Sequence, residues 1–344
     1  MNTKEFMDTK EIIEVGVIGG GSFGTAMAIH LARNGYPVTI WAHDAQAAEY
    51  MQTQRENKTY LPGVVLPNSL TATSDLQQTV RGKKLVLQVN PSHATRDIMQ
   101  RAVPFLEDDA IILNCTKGIE NESLLTMSEL LLQIIPSSKH SQLAFLSGPS
   151  FAREVALGAP TAVTISSKNP SAAQYCQKIF ASERFRVYTT DDIVGSELAS
   201  ALKNVIAIAA GISDGLGYGH NTRAALITRG VAEILRLGKK MGAKEMTFLG
   251  LSGMGDLVLT CTGDLSRNRS VGIQLGQGKK LEEILASMKM VAEGVKTAKA
   301  AYALAQKHGI EMPIIEQVYR VIFENKDPRA AVYDLMTRES KSEA

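Results

Sequence analysis

The apolar residues in the first half of the chain fall into short blocks, each closed by a break rich in glycine, proline or serine. Val15-Gly16-Val17-Ile18 runs into Gly19-Gly20-Gly21-Ser22-Phe23-Gly24 and then into the helical stretch from Thr25 to Ala32. Val38-Thr39-Ile40-Trp41 follows and stops before His43-Asp44. Lys84 to Val89 ends in Asn90-Pro91-Ser92, Ala110 to Asn114 in Cys115-Thr116-Lys117-Gly118, and Leu143 to Leu146 in Ser147-Gly148-Pro149-Ser150. Two further strands, Thr161 to Ser166 and Phe185 to Tyr188, flank a helix that begins near Pro170. Ala45 to Gln54 reads as a helix, Leu61 to Pro67 as a turn-rich loop, and Ser74-Asp75 as a helix cap. Alternating strand and helix predict a parallel, doubly wound sheet of the Rossmann type, with ligands at the carboxyl ends of its strands. Asn90, Ser92, Lys117 and Ser150 should therefore face one crevice.

Near Asp191 the pattern changes. Ile227, Val231, Ile234 and Met241 recur at helical spacing, as do Val295, Ala298, Tyr302 and Ala305. So do Ile314, Val318 and Ile322, behind a first-turn proline, Pro313. Asp191-Asp192 can cap a long helix reaching about Asp214. The expectation is an α/β domain over residues 1–193 followed by an all-α domain over 194–344. A chain of 344 residues accommodates two domains of ordinary size.

Composition narrows the partners. A net charge of +2 supplies no field for nucleic acid or a membrane surface. The apolar run Val205 to Ile212 is too short to span a bilayer, and Met1 to Glu11 lacks the apolar core of a signal peptide. Cys115, Cys176 and Cys261 show no metal or redox spacing, and the six histidines form no ligand cluster. Reduced thiols in a cytoplasm, with no metal, are expected.

Chemistry enters with the glycine loop. Between a strand and a helix, Gly19 permits a tight turn, Gly21 lets the backbone approach a pyrophosphate, and Gly24 allows close helix packing. A dinucleotide is the implied ligand, bound at a helix N-terminus. His43 and Asp44 lie where an adenosine ribose is read; the acid favours NAD and the cation NADP. In the second half, Lys203 stands among apolar neighbours, on a face made small by Ser196, Ala199, Ser200, Ala207, Ala210 and Gly211. That face fits either another helix packed closely, with Lys203 reaching solvent, or room for a nicotinamide and substrate. Ser266 reads as an N-cap with Arg267-Asn268-Arg269 in the first turn, which opposes the helix dipole and fits either a phosphate held at the helix start or two arginines pointing to solvent at little cost. Glu293 reads as a helix cap.

Taken together, these segments resemble the bacterial NAD(P)-dependent glycerol-3-phosphate dehydrogenases from about Ile13 to Leu335. The motifs are Gly19 to Ala26, Asn90-Pro91-Ser92-His93, Thr116-Lys117-Gly118, Ser147 to Ala152, Leu202-Lys203-Asn204-Val205, Gly255-Asp256-Leu257 and Ser266 to Arg269, in the family's order. Gly20 replaces a commoner alanine, and Asn90 a commoner apolar residue. The resemblance implies reversible reduction of dihydroxyacetone phosphate to sn-glycerol 3-phosphate, a phospholipid precursor, with NAD or NADP. It implies cofactor contacts from Ser22, Phe23, His43, Lys117, Ala152, Arg267, Val291 and Glu293, beside the loop glycines. It implies a substrate site of Lys117, Gly148, Ser150, Lys203, Asp256, Ser266, Arg267 and Asn268, with Lys203 as general acid–base. A homodimer is the plain expectation. Two rivals are a β-hydroxyacid dehydrogenase acting on a carboxylate, and a non-catalytic sensor of the dinucleotide.

Overall fold

The computed structural model describes residues 12–288, 292–340 and 342. The expected extension Met1–Glu11 lies outside them, as does Val291. The first half contains strands β1 (Val15–Ile18), β2 (Val38–Trp41), β3 (Glu56–Asn57), β4 (Leu61–Val65), β5 (Leu70–Thr73), β6 (Leu85–Gln88), β7 (Ile111–Asn114), β8 (Leu143–Ser147), β9 (Thr161–Ser166) and β10 (Phe185–Thr190). Helices α1 (Ser22–Arg33), α2 (Ala45–Gln54), α3 (Leu76–Val80), α4 (Thr95–Ala102), α5 (Met127–Ile134), α6 (Ala152–Ala156) and α7 (Pro170–Phe180) connect them. Along β1, Val17 enters one apolar cluster and Ile18 another; along β6, Leu85 and Leu87 face one and Val86 the other. Both faces of the sheet are covered, which is why these strands read as unbroken apolar blocks.

The eight-stranded sheet has the order β10-β9-β8-β7-β6-β1-β2-β5. It is not wholly parallel, which corrects the expectation from the sequence. β9 runs antiparallel to β8, with Phe145 opposite Ser166 and Ser147 opposite Thr164, while β10 runs parallel to β9. The cause is the connection. At about 1.5 Å per residue, the five-residue α6 advances only half the length of a five-residue strand. It cannot carry the chain back to the start of the sheet, so β9 begins where β8 ended.

A second correction concerns 61–67. Despite Pro62 and Gly63, Leu61–Val65 is a strand, paired antiparallel with β3. Tertiary contacts override the local turn chemistry. Asn57 donates to the Gly20 carbonyl at 2.8 Å and to Thr25 Oγ1 at 2.8 Å, and Ser22 Oγ donates to the Tyr60 carbonyl at 2.7 Å. This hairpin is thereby fastened to the glycine loop.

The second half is helical: α8 (Ile193–Gly215), α9 (His220–Lys240), α10 (Glu245–Leu249), α11 (Asp256–Thr262), α12 (Arg267–Gly276), α13 (Leu281–Ser287), α14 (Glu293–His308), α15 (Pro313–Phe323) and α16 (Pro328–Met336). Asp192 caps α8 through the Gly195 amide at 3.0 Å. By length and composition α8 could cross a membrane, yet 83% of its most apolar window is buried within the fold. It is the axis of the third apolar cluster, packed by Leu257, Val271, Ala298 and Ile315 from its neighbours.

Where α8 meets α12 the two backbones touch. A Cβ built on Gly211 would lie 2.1 Å from the Arg269 carbonyl oxygen, and one on Gly272 2.1 Å from that of Ile208. Gly215 and Gly276 meet in the same way one turn on. The small face of α8 therefore serves helix packing along this stretch, and the crossing fixes where the first turn of α12 stands relative to Lys203.

Candidate active site

The glycine loop joins β1 to α1. Gly19 has φ +134°, and a Cβ there would come within 2.8 Å of the Val89 carbonyl oxygen. A Cβ on Gly24 would lie 1.9 Å from the Gly19 carbonyl oxygen, so α1 sits directly on the turn. Gly21 is different: a Cβ there meets nothing within 4 Å. It stands before Ser22, where the first turn of α1 carries no acidic side chain and no side-chain cap. An open glycine at an uncapped, acid-free helix N-terminus fits a pyrophosphate. Phe23 packs against the sheet core, and its ring centroid lies 5.8 Å from Lys117 Nζ.

At the end of β2 the two ribose candidates separate. Asp44 is the N-cap of α2, accepting from the Gln46 amide at 2.9 Å. His43 is exposed, edge-on to Trp41 at 5.7 Å.

The loops after β6, β7 and β8 supply the crevice wall. Asn90 does not face it: buried, it shares a network with Gln88 and Thr95, and its carbonyl accepts from Thr116 Oγ1 at 2.5 Å. The polar residue in place of an apolar one is thus a partner for Gln88 beneath the strand ends. Ser92 donates to Glu293 Oε2 at 2.8 Å, across the sequence division between the domains. Glu293 is consequently not a cap; the N-cap of α14 is Ala292, and Glu293 is the first helical residue, turned toward the loop after β6. Ser150 Oγ donates to the Gly148 carbonyl at 3.0 Å, and Ala152 opens α6, half-buried.

The centre of the site is a shared carboxylate. Asp256, 1% exposed, accepts from Lys203 Nζ at 2.5 Å on one oxygen and from Lys117 Nζ at 2.8 Å on the other. Lys203 also donates to Thr260 Oγ1 at 2.8 Å, and Lys117 to the Gly148 carbonyl at 3.3 Å. Lys203 is only 6% exposed and does not reach solvent, although α12 packs closely on the same face at Gly211. Burial pushes its ammonium down to about 8; the Asp256 charge opposes that shift and Lys117 adds to it. Burial alone would raise the Asp256 carboxyl, but the two ammonium groups outweigh it and hold it below the ordinary carboxylate value. Two cations and one anion leave one excess positive charge in a site with little water, and such a charge calls for an anionic partner.

The helix start at α12 lies in the same domain as Lys203. Ser266 caps it, accepting from the Arg269 amide at 3.2 Å, which leaves its own hydroxyl proton for another acceptor. Arg267 is exposed and lies near enough to feel the Glu293 charge. Arg269 points elsewhere, to Asp214 at 2.8 Å and Asp264 at 3.0 Å. Asn268 donates to Asn204 Oδ1 at 3.0 Å and accepts from the Gly294 amide at 2.9 Å, tying α8, α12 and α14 together beside Lys203. Sequence reasoning missed Thr260. Its place four residues after Asp256, one helical turn along the same face, was the available signal. It also missed the hydroxyl pair Ser147–Ser252 at 2.6 Å, which holds the wide turn Leu251–Gly255 before Asp256. No spacing rule links those two.

A dinucleotide loop and Lys117 on one domain, with the buried Lys203 and a helix N-terminus on another, define a two-domain nicotinamide-dependent dehydrogenase. Family models described as NAD-dependent glycerol-3-phosphate dehydrogenase N-terminus and C-terminus match residues 14–173 and 192–333. The chain belongs to that family. It is 56% identical over 331 residues to the glycerol-3-phosphate dehydrogenase [NAD(P)+] of Syntrophotalea carbinolica, covering 96% of this chain and 99% of the relative. It is equally identical, over 330 residues, to the enzyme of the same description from Citrifermentans bemidjiense, covering 96% and 98%. The crystal structure of glycerol-3-phosphate dehydrogenase from Coxiella burnetii superposes with a TM-score of 0.91 at 40% identity, covering 95% of this chain and 99% of that one.

Proposed function

We propose that this chain interconverts dihydroxyacetone phosphate and sn-glycerol 3-phosphate with NAD or NADP, supplying the glycerol phosphate backbone of phospholipids. The observation that carries this is the Lys117–Asp256–Lys203 bridge, an excess positive charge between the dinucleotide loop and the start of α12. When bound, the nicotinamide gives or takes the hydride. Lys203 holds the proton that neutralises the developing alkoxide in reduction and takes it back in oxidation. An ammonium brought down to about 8 does both near neutral pH, where an ordinary lysine would hold its proton too tightly. Asp256 orients both lysines, with Thr260 completing the shell of Lys203. The second lysine, Lys117, adds positive charge where the alkoxide forms.

The phosphate is assigned to Ser266 and Arg267 with the amides of the first α12 turn, and Asn268 orients that turn. Gly148 and Ser150 line the substrate side. Gly19, Gly21, Ser22, Phe23 and Gly24 hold the pyrophosphate end, with Ala152, Lys117, Arg267 and Glu293 toward the nicotinamide. Asp44 is engaged in capping, so His43 is assigned to the ribose. Residues 1–193 and 194–344 are assigned as the cofactor and substrate domains. A homodimer in the cytoplasm is the accompanying assignment, supported by three free, buried cysteines and by the form such enzymes take.

The test is steady-state oxidation of NADH and of NADPH with dihydroxyacetone phosphate, compared as kcat/KM, beside hydroxyisobutyrate and phosphogluconate with the oxidised cofactors. Turnover of dihydroxyacetone phosphate is expected. Activity confined to the carboxylate substrates would establish a β-hydroxyacid dehydrogenase instead. A flat trace with all of them would establish a sensor.

A further inference from the structure

A small cavity of about 10 Å³ lies between the strand ends and the start of α8. Its polar lining comes from Asn114 and Ser147, which end β7 and β8, from Thr116 in the following loop, and from Ser196, Glu197 and Ser200 on α8. It therefore sits on the seam between the two domains. Most of these groups are already engaged. Ser196 Oγ donates to the Asp192 carbonyl at 2.8 Å, and Asn114 Nδ2 to the Thr116 carbonyl at 3.1 Å. Glu197 accepts from the Ser128 amide at 2.8 Å and from the Ser128 hydroxyl, holding the first turn of α5.

Ser200 is the exception. It is 3% exposed, and its hydroxyl has no hydrogen-bond partner in the protein. A buried hydroxyl left that way costs about 1–3 kcal/mol, so a helix position among apolar residues would be better filled by alanine unless the hydroxyl is used. The cavity volume matches about one water-sized sphere, and the site offers the two to four polar partners that a buried water requires. Glu197 keeps unspent lone pairs and Asn114 a second amide proton, beside the Ser200 hydroxyl.

We propose that this cavity is a binding site for a single water molecule that ties α8 to the ends of β7 and β8. Ser200 is its anchor and a positioning residue for the reaction. Lys203 follows Ser200 by three residues on the same helix, and Lys117 follows Thr116 directly. The water thus joins the two chain segments whose lysines share Asp256, and it fixes the height of α8 against the sheet. Because the functional role rests on the activity proposed above, it is read by kinetics, whereas occupancy is read by diffraction.

A high-resolution crystal structure of the full chain should show one density peak about 2.5–3.0 Å from Ser200 Oγ. Its absence would overturn the site, whatever the enzyme's substrate proves to be. Ser200→Ala removes the anchor, and Ser200→Thr keeps a hydroxyl while placing a methyl group in the cavity. Both should lower kcat for dihydroxyacetone phosphate about tenfold through displacement of Lys203, with KM changed less than twofold. Both should also move the pH at which turnover is half-maximal. Wild-type kcat and pH profile in Ser200→Ala would remove the positioning role. Full activity in Ser200→Thr without the peak would show that the hydroxyl acts without water.

Discussion

Replacing Gly211 by alanine tests whether the α8–α12 crossing places the phosphate site. The added Cβ would lie 2.1 Å from the Arg269 carbonyl oxygen and 2.9 Å from both its carbonyl carbon and Gly272 Cα, against ordinary contact from 3.4 Å upward. Both elements are backbone, so no side chain can swing aside. The helices must part by about 1 Å to restore normal contact. Alanine gains about 1 kcal/mol over glycine in a helix interior, whereas overpacking costs about 1–3 kcal/mol, and both crossing backbones must move here. A net loss of up to about 2 kcal/mol follows from the balance of those two. The functional effect should be larger. Arg269 is two residues from Arg267 and three from Ser266, so the shift falls on the turn assigned to the phosphate. A displacement of about 1 Å there lowers kcat/KM for dihydroxyacetone phosphate about 10- to 100-fold. The loss should appear mainly in KM, because Lys203 lies two turns away. Steady-state kinetics and urea denaturation measure the two effects. Gly219→Ala serves as control, since a Cβ at that position meets nothing within 4 Å. A Gly211→Ala enzyme with the wild-type urea midpoint and kcat/KM within twofold would refute positioning by backbone contact.

Three other outcomes are expected. Lys203→Ala should lower kcat about 10²- to 10⁴-fold while NADH titration stays near wild type; in the wild-type enzyme reduction should fade, and oxidation rise, as pH passes through about 8. A pH profile unchanged by the substitution would move the proton to another group. Arg267→Ala should raise KM for dihydroxyacetone phosphate about tenfold or more, as loss of a charge-assisted contact requires, and an unchanged KM would place the phosphate elsewhere. Glu233, buried where its carboxylate accepts from the Ile314 amide at 2.8 Å and the Ile315 amide at 3.3 Å, is raised by burial from 4.5 to about 7. The folded state therefore holds a proton that the unfolded state releases between those values, and stability contributed by this group is lost as pH rises through them. Glu233→Gln should gain up to about 3 kcal/mol relative to wild type between pH 5 and pH 7.5, read by urea denaturation, and a constant difference would show no such linkage.

Much of this molecule is written locally. The sheet strands β1, β6, β7 and β8, the N-caps Asp75, Asp192 and Ser266, and the change to helices after Asp191 follow from short-range patterns. Each rests on one strand or one helical turn. The direction of β9 does not, because it depends on how far α6 can carry the chain. The strand at Leu61–Val65 was also hidden, since Pro62 and Gly63 carry turn signals and its partner β3 is only two residues long, held in place by the bonds of Asn57 to the glycine loop and α1. Glu293 looked like a cap because nothing near it reveals Ser92, 201 residues away.

The same division runs through the site. The glycine loop declares itself in six residues, because binding a pyrophosphate needs only a turn and a helix N-terminus, and both are local. Lys203 could be marked as unusual from its neighbours, but 53 residues separate it from Asp256, and Lys117 stands 139 from Asp256. What the sequence determined by itself was the dinucleotide loop, the two-part architecture and, through the order of its motifs, the family. Only the tertiary structure decided that Lys203 is buried, that Asp256 serves two lysines, that Asn90 and Asn268 are tied into hydrogen bonds, and that Asp44 is a cap. Burial and charge pairing depend on what folding brings together, and those quantities set the protonation of a catalytic group.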